Sequence, residues 1–180
     1  SLVGDEIAID GLAAQVTIDH ADKSDLLVVN GSSGFDFIDA SGLAAGHVAL
    51  QLFGGDDADV IIGSGGNDII TGGAGNDELD GGGGNDAFRY TGPVDGQDVI
   101  DNFDGTAAGG QDTVNLDALF DSLGVAAADR AAHVSIVDHG ATVDVAIDAD
   151  GNAANGFELT AMTLNTNDAI TVSQDVLLGT

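Results

Sequence analysis

Apolar and polar residues recur with a nine-residue period in the middle of the chain, from Gly54 to Arg89. The four nonapeptides are GGDDADVII, GSGGNDIIT, GGAGNDELD and GGGGNDAFR, and each begins with four residues that favour turns. The eighth place always holds a large apolar residue, namely Ile61, Ile70, Leu79 or Phe88. Because side chains of a strand point alternately to its two faces, this spacing predicts three-residue strands that each bury one side chain, separated by tight turns.

The first third of the chain carries weaker copies of this pattern. Residues 11–18 (GLAAQVTI) resemble residues 42–50 (GLAAGHVAL), and residues 22–39 resemble residues 56–71. These similarities indicate an internal repeat of about 30 residues, a period typical of solenoids. We therefore predict that residues 1–53 form degenerate coils of the structure that residues 54–89 build.

Two aspartates of this first third take part in the same comparison. Asp36 stands at the sixth place of GSSGFDFID (residues 31–39), a passable nonapeptide. Asp25, directly before LLVV, holds the equivalent place in a more degenerate copy.

Residues 90–180 follow a different pattern. Short apolar segments such as DVIDNF and TVNL are separated by acidic turns, which predicts short strands. DALFDSLG (117–124) and VAAADRAA (125–132) favour one or two short helices. From His133 onward, apolar and polar residues alternate, which predicts antiparallel strands. We expect a capping segment followed by a small, mainly antiparallel β module.

The charge balance points to bound cations. The formal net charge is −28, with three Lys and Arg residues against 31 Asp and Glu. Nearly all of the acids are Asp, whose short side chain suits turns and loop-bound ions, whereas an acidic helical surface would use Glu freely. Such a charge opposes compaction, so we expect the chain without counter-ions to be expanded.

The same composition excludes several classes of protein. The negative charge repels nucleic acid and anionic membrane surfaces. The chain contains no Cys, which excludes disulfides, thiolate metal sites and thiol catalysis. It shows neither an apolar run long enough to span a membrane nor a secretory signal peptide at its N-terminus. We expect a monomer with neither nucleic-acid binding nor membrane insertion.

Each nonapeptide places an aspartate at its sixth position, directly after the turn: Asp59, Asp68, Asp77 and Asp86. Calcium takes about six to eight oxygen ligands at about 2.3–2.6 Å. One six-residue turn cannot provide these ligands, but two stacked turns can, through backbone carbonyls and one carboxylate from each. Glycine allows the sharp turn because it adopts positive φ and has no Cβ.

We take two nonapeptides to complete one coil, so that turns on the same side are two repeats apart. This pairs Asp59 with Asp77 and Asp68 with Asp86, while Asp98 follows Asp77, Asp112 follows Asp86 and Asp36 is a candidate partner of Asp68. The candidate calcium ligands are Gly54, Gly55, Asp57, Asp59, Gly63, Gly65, Gly66, Asp68, Gly72, Gly73, Ala74, Gly75, Asp77, Gly81, Gly82, Gly83, Gly84, Asp86, Asp98, Asp112 and Asp36.

The tandem pattern resembles the RTX calcium-binding repeat, G-G-x-G-x-D-x-U-x. RTX repeats occur in secreted bacterial metalloproteases, lipases, pore-forming toxins, alginate epimerases and giant adhesins. The resemblance implies an all-β fold, a calcium-stacked parallel β-roll (a β-solenoid), with the segment DVIDNF…DTVNL as its capping region. Asp57 and Ser64 depart from glycine places of the motif, and Asp tolerates the left-handed backbone next best.

The resemblance also implies a biological setting. Proteins of this kind are exported by a type I secretion system that reads an uncleaved C-terminal signal, and the segment ITVSQDVLLGT fits that route. We expect a non-catalytic calcium-binding module that folds on binding calcium after export. It would lie at the C-terminal end of a large secreted or surface bacterial protein of the adhesin type. The alternative is an accessory module of a secreted protease, lipase or polysaccharide-active enzyme.

Weaker signals favour ordinary structural roles. Asp148, Asp150, Asn152 and Glu158 resemble an EF-hand loop, but the glycine place and the spacing are wrong, so a polar hairpin turn is preferred. No HExxH, GxSxG or Ser-His-Asp pattern accompanies the scattered histidines His20, His47, His133 and His139, which are expected at the surface or at strand ends.

Two further expectations concern the outer face of the repeats. Val60, Ile62 and Ile69 stand at outward places, which predicts that the N-terminal segment or the C-terminal module covers this flank. A ladder formed by Asn67, Asn76 and Asn85 could serve ice binding, but the third places hold Gly and Ala instead of Thr, and we expect no such function.

Overall fold

The structure is a computed structural model that describes residues 6–10, 25–93, 95–105, 111–151, 159–166, 170 and 176–177. Its strands are β1 (Glu6–Asp10), β2 (Leu26–Ser33), β3 (Phe37–Asp39), β4 (Ala49–Asp56), β5 (Val60–Ile62), β6 (Asp68–Ala74), β7 (Glu78–Asp80), β8 (Ala87–Arg89), β9 (Asp98–Asp101), β10 (Thr113–Asn115), β11 (Val134–Asp138), β12 (Thr142–Ile147), β13 (Leu159–Asn165) and β14 (Val176–Leu177). Helix α1 spans Asp117–Leu123, and a 3-10 helix spans Arg130–His133.

Within these residues the strands form two sheets that the chain visits in turn. One sheet has the order β1-β2-β4-β6-β8-β10-β14, and all of its pairings are parallel. The other has the order β3-β5-β7-β9-β13-β12-β11, parallel from β3 to β13 and antiparallel from there on. Between β2 and β10 the chain alternates from one sheet to the other with a turn at each crossing. The result is an all-β roll with parallel coils, as predicted.

The core lies between the two sheets and takes one side chain from each short strand. The residues at the eighth place of the nonapeptides, Ile61, Ile70, Leu79 and Phe88, are each at most 1% exposed. Ile100 of β9 and Val114 of β10 continue this row and are fully buried. The predicted three-residue strands are present as β5, β7 and β8, whereas β6 extends into the following turn.

The C-terminal part extends both sheets of the roll. β13 pairs in parallel with β9, and β12 and β11 follow it in antiparallel order, while β14 pairs in parallel with β10. Helix α1 buries Leu119 and Phe120 and ends at Gly124, whose φ of 72° closes the helix. The predicted antiparallel cap with one or two short helices is confirmed.

The predicted repeat of about 30 residues is wrong for the N-terminal coil. β2 pairs with β4 with Leu26 opposite Ala49, and Asp36 stacks on Asp59, a separation of 23 residues. Residues 22–39 therefore do not lie in the register of residues 56–71. The sequence comparison matched an apolar run followed by a glycine-rich turn, a pattern that occurs on both sheets. The long crossing between β3 and β4, residues 40–48, prevents the period from being read directly.

This long crossing covers part of the outer flank. The backbone N–H of Ala40 donates to the carbonyl of Ile62 at 2.8 Å, and Gly65 N–H donates to the carbonyl of Leu43 at 2.9 Å. Val60 and Ile62 lie on β5, whereas Ile69 lies on β6 in the other sheet, so the three residues do not share one flank as predicted. All three are half-buried, and none is fully exposed. The described part of the chain has no helix with the length and apolarity that crossing a bilayer requires.

Candidate metal centre

The aspartates at the ends of the turns stack into two columns. Column one contains Asp36, Asp59 and Asp77, which directly precede β3, β5 and β7, and Asp98, the first residue of β9. Column two contains Asp68, Asp86 and Asp112, which lead into β6, β8 and β10. For Asp59, Asp68, Asp77 and Asp86 the nonapeptide spacing produces this stacking, because each of them ends a turn of constant length and the parallel strands hold successive turns in register.

Except in the first aspartate of each column, one carboxylate oxygen is used inside the column. The backbone N–H of each aspartate but the last donates to Oδ1 of the aspartate in the following coil. In column one, Asp36, Asp59 and Asp77 donate to Asp59, Asp77 and Asp98 at 2.7, 2.8 and 2.9 Å. In column two, Asp68 and Asp86 donate to Asp86 and Asp112, both at 2.9 Å. These bonds fix each carboxylate over the turn of the preceding coil.

The second oxygen has no protein partner in four of these residues. Oδ2 of Asp36, Asp59, Asp77 and Asp86 is buried and makes no hydrogen bond. The last three residues are at most 2% exposed as whole side chains. A buried carboxylate oxygen without a donor is costly, and the usual remedies are a donor or a cation. A hard divalent cation such as calcium fits these oxygens.

The first glycine of each turn leaves space for this carboxylate. A Cβ added to Gly72 would lie 2.1 Å from Oδ2 of Asp77, and one added to Gly81 would lie 2.3 Å from Oδ2 of Asp86. Gly54 stands in the same relation to Asp59, at 2.3 Å. A side chain at these places would displace the carboxylate, so glycine is required there by proximity and not by backbone conformation.

Backbone carbonyls of neighbouring turns line the same space. Sites for an added Cβ on Gly54 and Gly63 lie 2.5 and 2.3 Å from the carbonyl oxygens of Gly72 and Gly81 in the following coil. Within the described ranges, no three His, Cys, Asp or Glu side chains converge on one point. The oxygens available to a cation are therefore carboxylates and peptide carbonyls together, which is a donor set that suits calcium.

Positive φ recurs at the second and fourth places of the turns, with Ser64 and Gly66 as exceptions. Asp57 has φ of 73°, so this aspartate adopts the left-handed conformation at a glycine place, as expected. The second and fourth places otherwise have positive φ at Gly55, Gly73, Gly75, Gly82 and Gly84. The third-place residues Gly65, Ala74 and Gly83 and the fourth-place Gly66 lie in the same stacked turns without positive φ.

Burial raises the pKa of several of the stacked carboxyls, among them those of Asp77, Asp86 and Asp98. It raises the pKa of Asp77 to about 6 and that of Asp86 to about 8, and neighbouring carboxylates add to the effect. The pKa of Asp98 is raised to about 7, again chiefly by burial. A cation bound at these oxygens would offset the cost of the buried negative charges.

Three carboxylates at the ends of the columns are closed by protein donors. Oδ2 of Asp98 accepts the hydroxyl of Tyr90 at 2.7 Å, and Oδ2 of Asp112 accepts the backbone N–H of Asp104 at 2.9 Å. At the start of column two, Oδ2 of Asp68 accepts the backbone N–H of Ser64 at 2.6 Å. At these ends Oδ2 of the aspartate therefore has a protein donor, whereas Oδ2 of Asp59, Asp77 and Asp86 in the interior of the columns has none.

The predicted stacking of Asp59 with Asp77, Asp68 with Asp86, Asp77 with Asp98 and Asp86 with Asp112 agrees with the hydrogen bonds. The predicted partnership of Asp36 with Asp68 is wrong, because Asp36 donates to Asp59 and belongs to column one. The place of Asp68 is held by Leu50 in the preceding coil and by Leu27 in the coil before that.

The prediction that Asp25 holds the sixth place of a degenerate repeat is also wrong. Asp25 lies two residues before Leu27, and its backbone carbonyl accepts the N–H of Ala49 at the start of β4. The comparison of residues 22–39 with residues 56–71 misplaced Asp25 because it aligned β2 with β5, a strand of the other sheet.

Two buried residues of the segment between β8 and β9, Asp95 and Tyr90, were not predicted as part of the site from the sequence. Asp95 is 6% exposed, and its Oδ2 accepts the N–H groups of Thr91 and Gly92 at 2.6 and 3.0 Å. Tyr90 is 3% exposed and reaches Asp98. The extra length of this turn relative to GGAGND is the only linear hint of a different arrangement.

The asparagines at the fifth place of the repeats form structural bonds. Oδ1 of Asn67 accepts the N–H of Asn85 at 3.0 Å, and Oδ1 of Asn85 accepts the N–H of Gln111 at 3.1 Å. Oδ1 of Asn76 likewise accepts the N–H of Gln97 at 3.0 Å. These oxygens serve the next coil, which explains the asparagines without an ice-binding function.

The weaker candidates have local roles where they are described. Oδ1 of Asp148 accepts the N–H of Gly151 at 2.7 Å, as in a polar turn. His47 and His133 lie within hydrogen-bond distance of backbone carbonyls, and His139 lies 3.1 Å from Asp144. Residues 11–18, His20, Asn152, Glu158 and most of the segment ITVSQDVLLGT lie outside the described residues.

Comparison with known proteins agrees with this geometry. Residues 53–88 match the family model of the RTX calcium-binding nonapeptide repeat in four copies. The chain carries an RTX repeat array. RTX nonapeptide repeats bind calcium ions, and the four matched copies contain Asp59, Asp68, Asp77 and Asp86.

One similar solved structure extends beyond the repeats. The solution structure of the R3 subunit of AlgE6, a mannuronan C5-epimerase of Azotobacter vinelandii, is 29% identical and has a TM-score of 0.54. The match covers 82% of this chain and 80% of that one. The similarity to this structure therefore includes the coils that flank the array as well as the four repeats. No curated protein sequence matches the chain significantly.

Proposed function

We propose that this RTX β-roll is a non-catalytic module that folds when it binds calcium outside the cell. The observation that supports this most directly is the set of buried carboxylate oxygens without donors at Asp36, Asp59, Asp77 and Asp86. The formal net charge of −28 supports it as well, because a chain so acidic resists compaction until cations neutralise it.

In this proposal each calcium lies between stacked turns and is held by Asp carboxylates and turn carbonyls. Column one would bind through Asp36, Asp59 and Asp77, and column two through Asp86. The cation supplies the positive charge that the buried carboxylates lack. The protein contributes the spacing, since β5, β7 and β8 hold the turns at the separation of paired strands.

Binding and folding are coupled because the site exists only when two coils are stacked. A chain that has no preformed site spends binding free energy on folding, as structural metal sites do. Extracellular calcium modules bind with dissociation constants of about 10⁻⁴–10⁻³ M. Such affinities would leave the chain expanded where calcium is scarce and condense it where calcium is plentiful.

The proposed setting is a large secreted or surface bacterial protein of the adhesin type, exported by type I secretion. Type I secretion passes an unfolded chain, which the coupled folding above would permit. In this arrangement residues 1–53 supply degenerate coils, residues 54–89 the RTX array, and residues 90–180 the cap at the C-terminal end. The module would act as a calcium-dependent structural element and a monomer.

A second candidate is an accessory module of a secreted polysaccharide-active enzyme. The similarity to a repeat subunit of a mannuronan epimerase favours it. The chain itself offers one Tyr, no Trp and three Lys and Arg residues, which is little for a polysaccharide groove. Titration of the calcium-loaded module with mannuronan distinguishes the candidates, because saturable binding supports the accessory role and its absence supports the structural module.

Calcium titration of the chelator-treated protein, followed by circular dichroism and calorimetry, tests the main proposal. We expect a cooperative gain of β-structure with calcium and its loss on adding chelator. Asp77→Asn should remove about one calcium per molecule, because Asp77 contributes one carboxylate to a site of stacked turns. Asp39→Asn, a change at an exposed aspartate outside both columns, is the matched control and should leave the stoichiometry unchanged. A fold indifferent to calcium would refute the proposal.

A further inference from the structure

Tyr90 occupies the place that a glycine holds in the other turns. β6 and β8 pair with Ile70 opposite Phe88, so Tyr90, two residues after Phe88, corresponds to Gly72, two residues after Ile70. At Gly72 a side chain would collide with the carboxylate of the same turn. At Tyr90 the turn is longer, and the ring is accommodated in the core with 3% exposure.

The hydroxyl of this tyrosine reaches the carboxylate that ends column one. It donates to Oδ2 of Asp98 at 2.7 Å, and Asp98 is 2% exposed. Oδ1 of Asp98 accepts the N–H of Asp77, so both oxygens of this carboxylate have protein donors. The same Oδ2 atom in Asp59 and Asp77 is buried and has none.

We propose that the Tyr90 hydroxyl stands where a cation binds in the other coils, so that Asp98 closes column one without binding calcium. Tyr90 is then a positioning residue that ends the row of cations at Asp77. This inference rests on the proposed function, because it assumes that the open Oδ2 atoms of column one bind calcium.

Column two ends in the same manner. Oδ2 of Asp112 accepts the backbone N–H of Asp104, so the last carboxylate of each column is closed by a protein donor. In column one the donor is a side chain, which substitution can remove. A neutral hydroxyl satisfies a carboxylate through a charge-assisted hydrogen bond, whereas a carboxylate left open in the core needs a cation.

The decisive comparison is between Asp77→Asn and Asp98→Asn in calcium stoichiometry measured by calorimetry. Asparagine keeps a side-chain oxygen that can accept the N–H of the preceding coil, so both variants can retain the column bond. We expect Asp77→Asn to bind one calcium fewer than the wild type and Asp98→Asn to bind the same number. Loss of one calcium in Asp98→Asn overturns the inference alone. A wild-type protein that binds no calcium overturns the proposed function and the inference with it.

A measurement on the wild-type protein covers the case in which Asp98→Asn does not fold. Tyr90 is the single tyrosine of the chain, so its hydroxyl proton can be assigned by its loss in Tyr90→Phe. In the calcium-saturated protein we expect this proton as a slowly exchanging downfield NMR signal, because the hydroxyl is buried and bonded to a carboxylate. The absence of that signal at saturating calcium would show that the bond is broken and would contradict the inference.

Discussion

Strand β7 of the roll and strand β12 of the cap bury different kinds of groups. β7 buries Leu79 alone, and the turn before it ends in the buried Asp77, whose Oδ2 has no donor. β12 buries Val143, Val145 and Ile147, and its Asp144 is half-buried and accepts a hydrogen bond from the Thr163 hydroxyl at 2.8 Å. The roll has fewer apolar groups per strand and more buried carboxylates.

This difference separates two sources of stability. Apolar burial contributes about 25 cal/mol per Å² removed from water, and β12 gains three such side chains where β7 gains one. The roll also carries carboxylates whose burial disfavours folding unless they are neutralised. Under the proposed function the roll depends on cations, whereas the antiparallel strands are held mainly by apolar packing and direct strand pairing.

The largest expected effect is the loss of the roll on calcium removal while the cap keeps more of its structure. In chelator, the amide protons of Asp36 and Asp59 should lose their protection from hydrogen exchange, because the carboxylates that accept them, those of Asp59 and Asp77, are no longer neutralised. Amides of β12 should retain more protection. Hydrogen exchange read by NMR in calcium and in chelator measures both. Magnesium is the control, since its stricter octahedral geometry should not restore the roll. Equal loss of protection in both regions would contradict the comparison.

Two glycine substitutions should give smaller losses of stability, of which only the one in the roll depends on calcium. Gly72→Ala places a methyl group against the Asp77 carboxylate, which costs about 1–3 kcal/mol as overpacking and also weakens calcium binding. Gly140→Ala, in the turn between β11 and β12, meets open space and costs only the strain of its positive φ, about 1–2 kcal/mol. Chemical denaturation at saturating and low calcium measures both variants. If the loss of stability in Gly72→Ala were independent of calcium, the proposed place of calcium beside the Asp77 carboxylate would be wrong.

The smallest effect is a pH dependence confined to the calcium-free protein. The pKa values of Asp77, Asp98 and Asp86 are raised from 3.8 to about 6, 7 and 8, so the folded state binds protons more tightly than the unfolded chain. Their destabilising effect is complete above about pH 8 and is relieved as the pH falls through these values. Calcium-free protein should therefore show more β-structure at pH 5 than at pH 9 by circular dichroism. More β-structure at pH 9 would refute this sign, and calcium-saturated protein is the control with the weaker dependence.

The register of the roll could be predicted where the period is constant. Between Asp59 and Asp86 every turn has the same length, so counting nine residues places each carboxylate over the correct neighbour. The eighth-place residues Ile61, Ile70, Leu79 and Phe88 were predicted as core for the same reason, and all are buried.

Prediction failed where a turn changes length. The crossing at residues 40–48 shifts the coils before it, which is why Asp36 was assigned to Asp68 instead of Asp59. The turn before Asp98 is also longer, and the contact of Tyr90 with Asp98 depends on the path of that turn through space. Linear spacing carries no information about such a path.

The hydrogen bonds of the columns have a direction along the chain. Each aspartate N–H is satisfied by a carboxylate that is synthesised later, so a coil is complete only when its successor is in place. The last coil has no successor of its own kind, and β13 takes that position by pairing with β9, with Met162 opposite Asp98. A roll shortened from its C-terminal end would therefore lose the acceptor of an aspartate N–H in the coil that remains, whereas one shortened from its N-terminal end would not.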